Sequence, residues 1–584
     1  MRRAVFLSLA FALLTACVSA PIQSEQIAVS SQTASREPQT AVVNNPASYY
    51  EERRRAIELV RAENWSHAEP ILEDLVAVYA DDGDIWHVLG LAYMQSAKWT
   101  EAVAALEQAV ELGAFLGGVP TGSSPTNDIM IKIAESYSQL GDRDSAEEWI
   151  ERSFEARYDG RPFLANNDRL ANAFPSEAYQ KLIGAWHDPG LSRDAAWTAD
   201  LHYLANEIQR LHANFDGIYS VDEFDTKISE IEQKIPTFSD QEIVFELLEL
   251  IGSLDNGHNI LIPTNGAKGS LSRLPIQFYW FSDGLYIVNA SDGFEHLIGT
   301  QVTHIADRPV IEVLDSTKPL NARNNEMQHL WLAPYFIAMP DVLHGLGITN
   351  SPDEVAISVV SQDGAQQKVT LSGIDWQFVG LPKLPHLQTE TQPKYLARHN
   401  ENYWFEFVAE DLLFLQFNAV QNSRDESLAD FSDRLVNAIN TSDVQNLVVD
   451  LRHNPGGNGS ILRSLIKAIV YFEAARPDGK LFVITGRGTY SAGQDLLTSL
   501  DRITDMIIVG EPSGSRPNRF GEAGWFRLPF SGLSGIISSQ YHQSSGAEDA
   551  RIWIAPHIPV FMTADEYFNG QDPALNAIRT VIEK

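Results

Sequence analysis

The chain has 584 residues, 44% of them hydrophobic, and a formal net charge of −34 at pH 7. This length and apolar content suffice for several globular domains with hydrophobic cores. The acidity argues against a nucleic-acid partner and against attraction to anionic membrane surfaces. Neither a HExxH nor a CxxC pattern occurs, so we expect no metal site and no cofactor.

The first residues indicate an export signal. An apolar run follows Arg2 and Arg3 and is too short to span a bilayer comfortably. It ends in Leu-Thr-Ala-Cys at Cys17, which resembles the cleavage box of bacterial lipoproteins. Because Cys17 is the only cysteine, no internal disulfide can form. We expect residues 1–17 to be a lipoprotein signal with lipid on Cys17; ordinary cleavage before Pro21 is the weaker alternative.

Lipid alone is then expected to hold the mature protein on the bacterial cell envelope, facing the periplasm. Val18 stands where an aspartate would favour the inner membrane, which points to the outer membrane. Residues 18–48 are rich in Ser, Gln, Thr, Ala and Val without a helical period, and this composition predicts a flexible linker.

Residues 49–190 have a helical pattern in which small residues alternate with large ones, as in tetratricopeptide repeats. Three units are indicated, separated unequally because a Gly/Pro/Ser-rich stretch at 113–126 lengthens the second interval. Their repeated positions are Ala56, Ala68 and Leu72, then Gly90, Ala102 and Leu106, then Ala134, Tyr137, Ala146 and Ile150. The repeats are either a surface for a protein partner or a structural spacer.

Residues 191–262 continue the helical periodicity, with Leu201, Leu204, Ile208 and Leu211 on one face. Residues 263–395 instead alternate apolar and polar side chains between turn signals, which predicts a β-rich module. Within it, residues 299–310 resemble the late strands of a PDZ domain. The carboxylate-binding loop of such domains is not apparent, so we expect a degenerate PDZ-like module.

Residues 396–584 predict an α/β core containing two strand–turn–helix units. In the first, an apolar strand at 447–449 gives way to a turn with Gly456 and Gly457 before a helical pattern at 460–472. Free backbone N–H groups at a helix N-terminus suit a developing oxyanion. The turn is therefore a candidate oxyanion hole.

The second unit repeats this plan. A buried-strand pattern at 481–485 is followed by a Gly-Arg-Gly turn, and Ser491 then opens a helical pattern at 492–500. Serine is a common helix N-cap. Ser491 is therefore either a nucleophile or a cap.

Three motifs in order carry a family resemblance: Asp-Asn-Gly-His ending at His258, Asp-Leu-Arg-His-Asn-Pro-Gly-Gly ending at Gly457, and Ser-Ala-Gly starting at Ser491. They resemble the C-terminal processing (tail-specific) serine peptidases, which include the tricorn core protease and the retinoid-binding repeat proteins. The resemblance spans roughly residues 190–584. It implies a helical cap, a Clp protease/crotonase-like α/β core, and a serine-type endopeptidase that cleaves polypeptides through an acyl-enzyme.

The same resemblance implies roles for particular residues. Ser491 would be the nucleophile, and Gly456, Gly457 and Ala492 would form the oxyanion hole. The processing branch uses a lysine as base, but this chain has Arg516 at that place, and arginine cannot be deprotonated in proteins.

In the tricorn-like branch an upstream histidine is the base, and His258 occupies that position. Histidine suits the task because its unperturbed pKa lies close to working pH. A triad also needs a carboxylate that orients the histidine and stabilises its cation. The family places an acid shortly before a strand that residues 555–560 resemble.

Asp549, slightly preferred, and Glu548 are therefore the candidate acids, and Glu522 is a weaker third choice. The alternative is that these are solvated loop acids in a very acidic chain.

Two other functions stay open. One is a catalytically inactive binding or scaffold protein, as the retinoid-binding branch illustrates. The other is a serine hydrolase that acts on a non-peptide ester, since a fold does not determine its substrate.

Overall fold

A computed structural model describes residues 45–115, 125–263, 266–376, 381–387 and 392–584. The expected signal, its Cys17 and most of the expected linker lie outside these ranges. Among the helices that the ranges contain, none is long and apolar enough to cross a membrane.

The N-terminal region is a stack of antiparallel helix pairs. Fully buried alanines such as Ala68 and Ala102 lie where neighbouring helices approach. Gly90 allows a close approach of α3 to α4, since a Cβ there would come within 2.5 Å of Leu106 Cγ. The helices are α1 (Pro46–Arg61), α2 (Trp65–Val78), α3 (Gly83–Gln95), α4 (Trp99–Leu112), α5 (Pro125–Leu140), α6 (Arg143–Glu155), α7 (Asp168–Ala171) and α8 (Ser176–Leu182).

Three further helices follow: α9 (Arg193–Leu211), α10 (Val221–Lys234) and α11 (Asp240–Gly252). Ser220 and Ser239 begin α10 and α11 with capping boxes, which satisfy free N–H groups of the first turn. Their apolar faces share a core around the fully buried Trp197. Helix α11 ends just before His258, so this core fixes where that histidine enters the site.

The β-rich module is an antiparallel sheet interrupted by helices. Its strands are β2 (Ile276–Phe281), β3 (Gly284–Ala290), β4 (Gln301–Ile305), β5 (Arg308–Pro309), β6 (Glu354–Val360) and β7 (Gln366–Ser372); the preceding strand β1 (Ile260–Ile262) belongs to another sheet. The sheet order is β2-β3-β4-β6-β7, with β5 paired to β4. Helices α12 (Val310–Ser316), α13 (Glu326–Ile337) and α14 (Pro340–Gly345), which strand patterning alone does not predict, cover its apolar face.

The C-terminal core is a six-stranded sheet in the order β17-β12-β11-β10-β9-β8, parallel except for the edge strand β8. Its elements are α15 (Lys394–Ala397), β8 (Tyr403–Ala409), β9 (Leu412–Phe417), α16 (Leu428–Asn440), β10 (Asn446–Asp450), α17 (Arg463–Ala475), β11 (Lys480–Thr485), α18 (Ala492–Ile503), β12 (Ile507–Gly510), β17 (Ile558–Pro559), α19 (Ala564–Phe568) and α20 (Pro573–Ile582). Every residue of β9 and β10 is buried, as expected for parallel strands covered on both faces.

Two small sheets lie beside this core. Strand β13 (Asn518–Gly521) pairs with β16 (Gln540–Gln543), and β14 (Gly524–Arg527) pairs with β15 (Ser534–Ile537), which also pairs with β1. The C-terminal core thereby supplies strands that contact the segment carrying His258. Helical repeats followed by a sheet-rich region and an α/β core confirm the expected multidomain fold class.

Candidate active site

Two loops meet at the carboxyl edge of the parallel sheet, one after β10 and one after β11. The fully buried Asn454 joins them: its carbonyl accepts a hydrogen bond from Tyr490 N at 3.0 Å, and its Nδ2 donates to Phe417 O at 2.9 Å. Thr489 Oγ1 also donates to Leu451 O at 2.8 Å. These bonds lock the loop that carries Ser491 onto the glycine turn.

Ser491 occupies the N-cap position of α18 but does not cap the helix. Its φ of 50° and ψ of −126° are unusual for a non-glycine residue, and its side chain makes no capping hydrogen bond. Such a conformation costs on the order of 1–3 kcal/mol and persists only where the surroundings enforce it. The hydroxyl is thus turned away from the helix N-terminus.

The hydroxyl of Ser491 instead faces His258. Ser491 Oγ lies 3.0 Å from His258 Nε2, within hydrogen-bond distance. The structure therefore brings together two residues that are 233 positions apart in the chain.

Tyr490 and Gly521 lie against the imidazole of His258, and Gln328 holds the backbone beside it. The ring stacks on Tyr490, with centroids 4.6 Å apart, and its Nδ1 lies 2.7 Å from the Tyr490 hydroxyl. Gln328 Nε2 donates to the carbonyl of Gly257 at 3.0 Å, and a Cβ at Gly257 would lie 2.1 Å from the Gln328 amide oxygen. Gly521 packs on the other side, where a Cβ would be 3.3 Å from the ring.

The glycine turn contributes one free donor rather than two. The N–H of Gly456 already donates to Asn454 Oδ1 at 2.9 Å. In contrast, the N–H groups of Gly457 and Ala492 donate to no residue that the structure describes. Gly456 instead allows the two loops to approach each other closely, because a Cβ there would lie 2.6 Å from Ser491 Cβ and 2.7 Å from Ala492 N.

The N-terminus of α17 supplies neither donor, although Ala492 is the first residue of α18. Helix α17 begins only at Arg463, after a short 3-10 turn at Gly459–Ile461. The turn is held instead by a bridge between Gly457 and Val420.

The electrostatics of the site disfavour a charged His258. Burial lowers the pKa of His258 well below its usual value, and the charges of Arg519 and His542 lower it further, while Asp495 raises it. Arg519 donates two hydrogen bonds to the Asp495 carboxylate. Burial alone would raise the pKa of Asp495, but Arg519 and the Ser544 hydroxyl hold it below its usual value.

Neither preferred acid reaches His258, which corrects the expected triad. The carboxylate of Asp549 accepts hydrogen bonds from Arg551 at 2.8 and 3.0 Å, and Glu548 is exposed. Glu522 lies 3.6 Å from His542 Nε2. Asp549, in the loop before β17, is bound by its neighbour Arg551. The group next to Nδ1 of His258 is the hydroxyl of Tyr490 instead.

Arg516, which stands at the place of the lysine base, is exposed and donates from Nε to the carbonyl of Asn324 at 2.8 Å. Sequence reasoning overlooked Tyr490, although it directly precedes Ser491, and the Asp495–Arg519 pair. A buried aromatic residue beside the nucleophile was the only available signal for the first. The second joins a helix to a strand and has no local signature.

Two clefts border the site and share Leu381 and Pro382. One is mainly apolar and is lined by Gly257 and Asn259, the chain neighbours of His258. The other is lined by Pro455 and by the turn before Ser491. The clefts therefore flank the segments that carry His258 and Ser491.

Comparisons with known proteins agree with parts of the sequence interpretation. A tetratricopeptide repeat family model matches residues 83–112 and 128–159, which confirms the second and third of the three expected repeats. No curated protein matches the chain.

Solved structures with a similar arrangement include mature CPAF complexed with lactacystin, at 13% identity over 67% of this chain and 98% of that one, with a TM-score of 0.49. The photosystem II D1 C-terminal processing protease matches at 11% identity over 66% and 99%, with a TM-score of 0.33. Tricorn protease matches at 13% identity over 67% and 37%, with a TM-score of 0.32. At these identities and TM-scores, none of the three similarities assigns a reaction to this chain.

Proposed function

We propose that this protein is a serine hydrolase that cleaves polypeptides through an acyl-enzyme. The observation that carries the proposal is the 3.0 Å contact between Ser491 Oγ and His258 Nε2, made by a serine that is held in a strained backbone conformation and caps no helix. A serine with a purely structural role at the start of a helix needs neither the contact with His258 nor the strained backbone. Two N–H groups beside it, which donate to no described residue, complete the arrangement that acyl transfer needs.

The reaction follows from these positions. His258 Nε2 accepts the proton of Ser491 as Oγ attacks the carbonyl carbon, and the resulting oxyanion accepts hydrogen bonds from the N–H groups of Gly457 and Ala492. When the C–N bond breaks, His258 returns the proton to the departing amine. Water then loses a proton to His258 and hydrolyses the ester, and Ser491 recovers its proton.

A polypeptide substrate is supported by the strand next to His258. Strand β1 pairs with β15 on one side only, so within the described strands its other edge is unpaired. An extended chain can add to such an edge through main-chain hydrogen bonds. The apolar cleft runs beside it, lined by Ile260 and Ile262. A small ester would use neither feature.

The proposal can be tested with matched variants on two substrate panels. Hydrolysis of unfolded polypeptides and of simple esters should be measured for the unaltered protein, Ser491→Ala and Ser229→Ala, whose serine is exposed on α10. We expect peptide hydrolysis that is lost only in Ser491→Ala. Hydrolysis of esters without peptides would favour an esterase, and no hydrolysis of either would favour a binding protein.

We further propose that the protein is a lipoprotein of the bacterial cell envelope, attached through Cys17 and facing the periplasm, with the outer membrane as its site. The support is the sequence alone: the cleavage-box resemblance, the single cysteine and Val18. More than one acyl chain is needed for stable attachment, and lipoprotein maturation supplies this.

A further inference from the structure

The group that faces Nδ1 of His258 is a phenol. Tyr490 Oη lies 2.7 Å from Nδ1, and the two rings stack at an interplanar angle of 24°. Tyr490 is itself almost fully buried, and Trp331 packs against it with a centroid distance of 5.8 Å. The hydroxyl therefore has one fixed position relative to the imidazole.

The proton count determines which way this hydrogen bond runs in a working site. A neutral imidazole carries one N–H, and Nε2 must be free of hydrogen to accept the Ser491 proton. The hydrogen then sits on Nδ1 and is donated to Tyr490 Oη. This is the tautomer that a triad carboxylate normally selects.

Two side-chain amides also act on the phenol oxygen. Those of Asn324 and Gln328 oppose the rise in the pKa of Tyr490 that burial causes, as hydrogen-bond donors to that oxygen do. Asn324 Nδ2 also donates to Ser515 Oγ at 3.2 Å. Gln328 Nε2 donates to Gly257 O, as described above, so both amides have a determined orientation.

We propose that Tyr490 is the positioning residue of this site, accepting Nδ1–H of His258 and taking the place of the triad carboxylate. The inference rests on the proposed function. Unlike a carboxylate, the phenol is neutral, because burial raises the pKa of Tyr490 far above working pH. It selects the tautomer and ring orientation of His258 but gives its cation no negative partner.

The test is Tyr490→Phe, which keeps the stacked ring and removes only the hydroxyl. Its control is Tyr471→Phe, which removes a hydroxyl bonded to Asn440 on the surface. Folding is checked by circular dichroism and thermal unfolding. Steady-state peptide hydrolysis should show kcat lowered by about 10²- to 10⁴-fold with KM little changed, as for loss of a tautomer-selecting group. Tyr471→Phe should leave both constants unchanged.

The pH profile separates positioning from a merely structural role. Without an acceptor for Nδ1–H the imidazolium is disfavoured, so the acid limb of kcat/KM should move to lower pH in Tyr490→Phe. Arg519 from β13, His542 from β16 and Asp495 from α18 also face His258, and all three are unchanged in the variant.

The opposite result would overturn the inference. If the tyrosine instead donated to Nδ1, it would hold the unreactive tautomer, and Tyr490→Phe would keep or raise kcat and move the acid limb upward. An unchanged kcat and pH profile would have the same consequence. Ser491→Ala is measured in parallel: retained hydrolysis there would defeat the proposed function as well, whereas its loss would confine the failure to Tyr490.

Discussion

Arg519 donates to both carboxylate oxygens of Asp495, from Nη1 to Oδ1 at 2.7 Å and from Nη2 to Oδ2 at 2.9 Å. The carboxylate of Asp495 raises the pKa of His258, but its charge is paired with the guanidinium of Arg519 through these two hydrogen bonds. The histidine therefore lies near a cation and a neutralised acid, and its protonated form is poorly stabilised.

The pH dependence of hydrolysis should reflect this environment. His258 must be neutral to accept a proton, and its pKa is held well below 6.5 by burial first and by Arg519 and His542 next. Activity should therefore persist as pH falls through 6.5 and decline only below it. We expect the acid limb of kcat/KM to have its midpoint clearly under 6.5, and a midpoint at or above 6.5 would contradict the described environment.

Gly456→Ala should abolish hydrolysis. Its φ is +105°, and the added Cβ would press on Ser491 Cβ and Ala492 N at 2.6 and 2.7 Å. Gly293→Ala is the matched control, because Gly293 has a φ of +90° but open space where the Cβ would lie. Both variants should be destabilised by about 1–3 kcal/mol, but only Gly456→Ala should be inactive. Equal residual activities would show that the close approach is unimportant.

Glu548→Ala should leave kcat within about twofold of the unaltered protein, in line with an ordinary surface substitution. Asp549→Ala should also retain activity, since its carboxylate is bound by Arg551 rather than by His258. Removing the orienting carboxylate of a serine triad costs about 10⁴-fold in kcat. If either variant lost that much activity in steady-state assays, the carboxylate that it lacks would be the orienting acid that the sequence suggests.

The two strand–turn–helix units that carry Gly456, Gly457 and Ser491 could be predicted from sequence, because each unit is one continuous segment of the chain. The contacts of His258 could not be predicted in the same way, because they join residues that are far apart in the chain. The group facing His258 depends on how the loop before β17 and the β13–β16 pair fold, which no local pattern encodes. Helices α12–α14 were missed because apolar runs of that length fit strands or helices equally well.

Cys17→Ser should leave the signal unprocessed or release a soluble protein. The acidic mature chain offers no attraction of its own to anionic lipids, so loss of acylation removes the anchor. Membrane fractionation with mass spectrometry of the mature N-terminus measures this, and Ser19→Ala is the control, which should remain lipidated. A mature N-terminus at Pro21 without lipid would contradict both the anchor and the envelope site.

Intact-mass and peptide-mapping analysis after reaction with a fluorophosphonate tests most directly whether Ser491 is the nucleophile. We predict one adduct, on Ser491 Oγ, with no adduct in Ser491→Ala and much slower labelling in His258→Ala. Peptide hydrolysis should fall in Ser491→Ala by a factor on the order of 10⁶, as for other triad serines. Labelling of a different serine, or hydrolysis that survives in Ser491→Ala, would contradict the account.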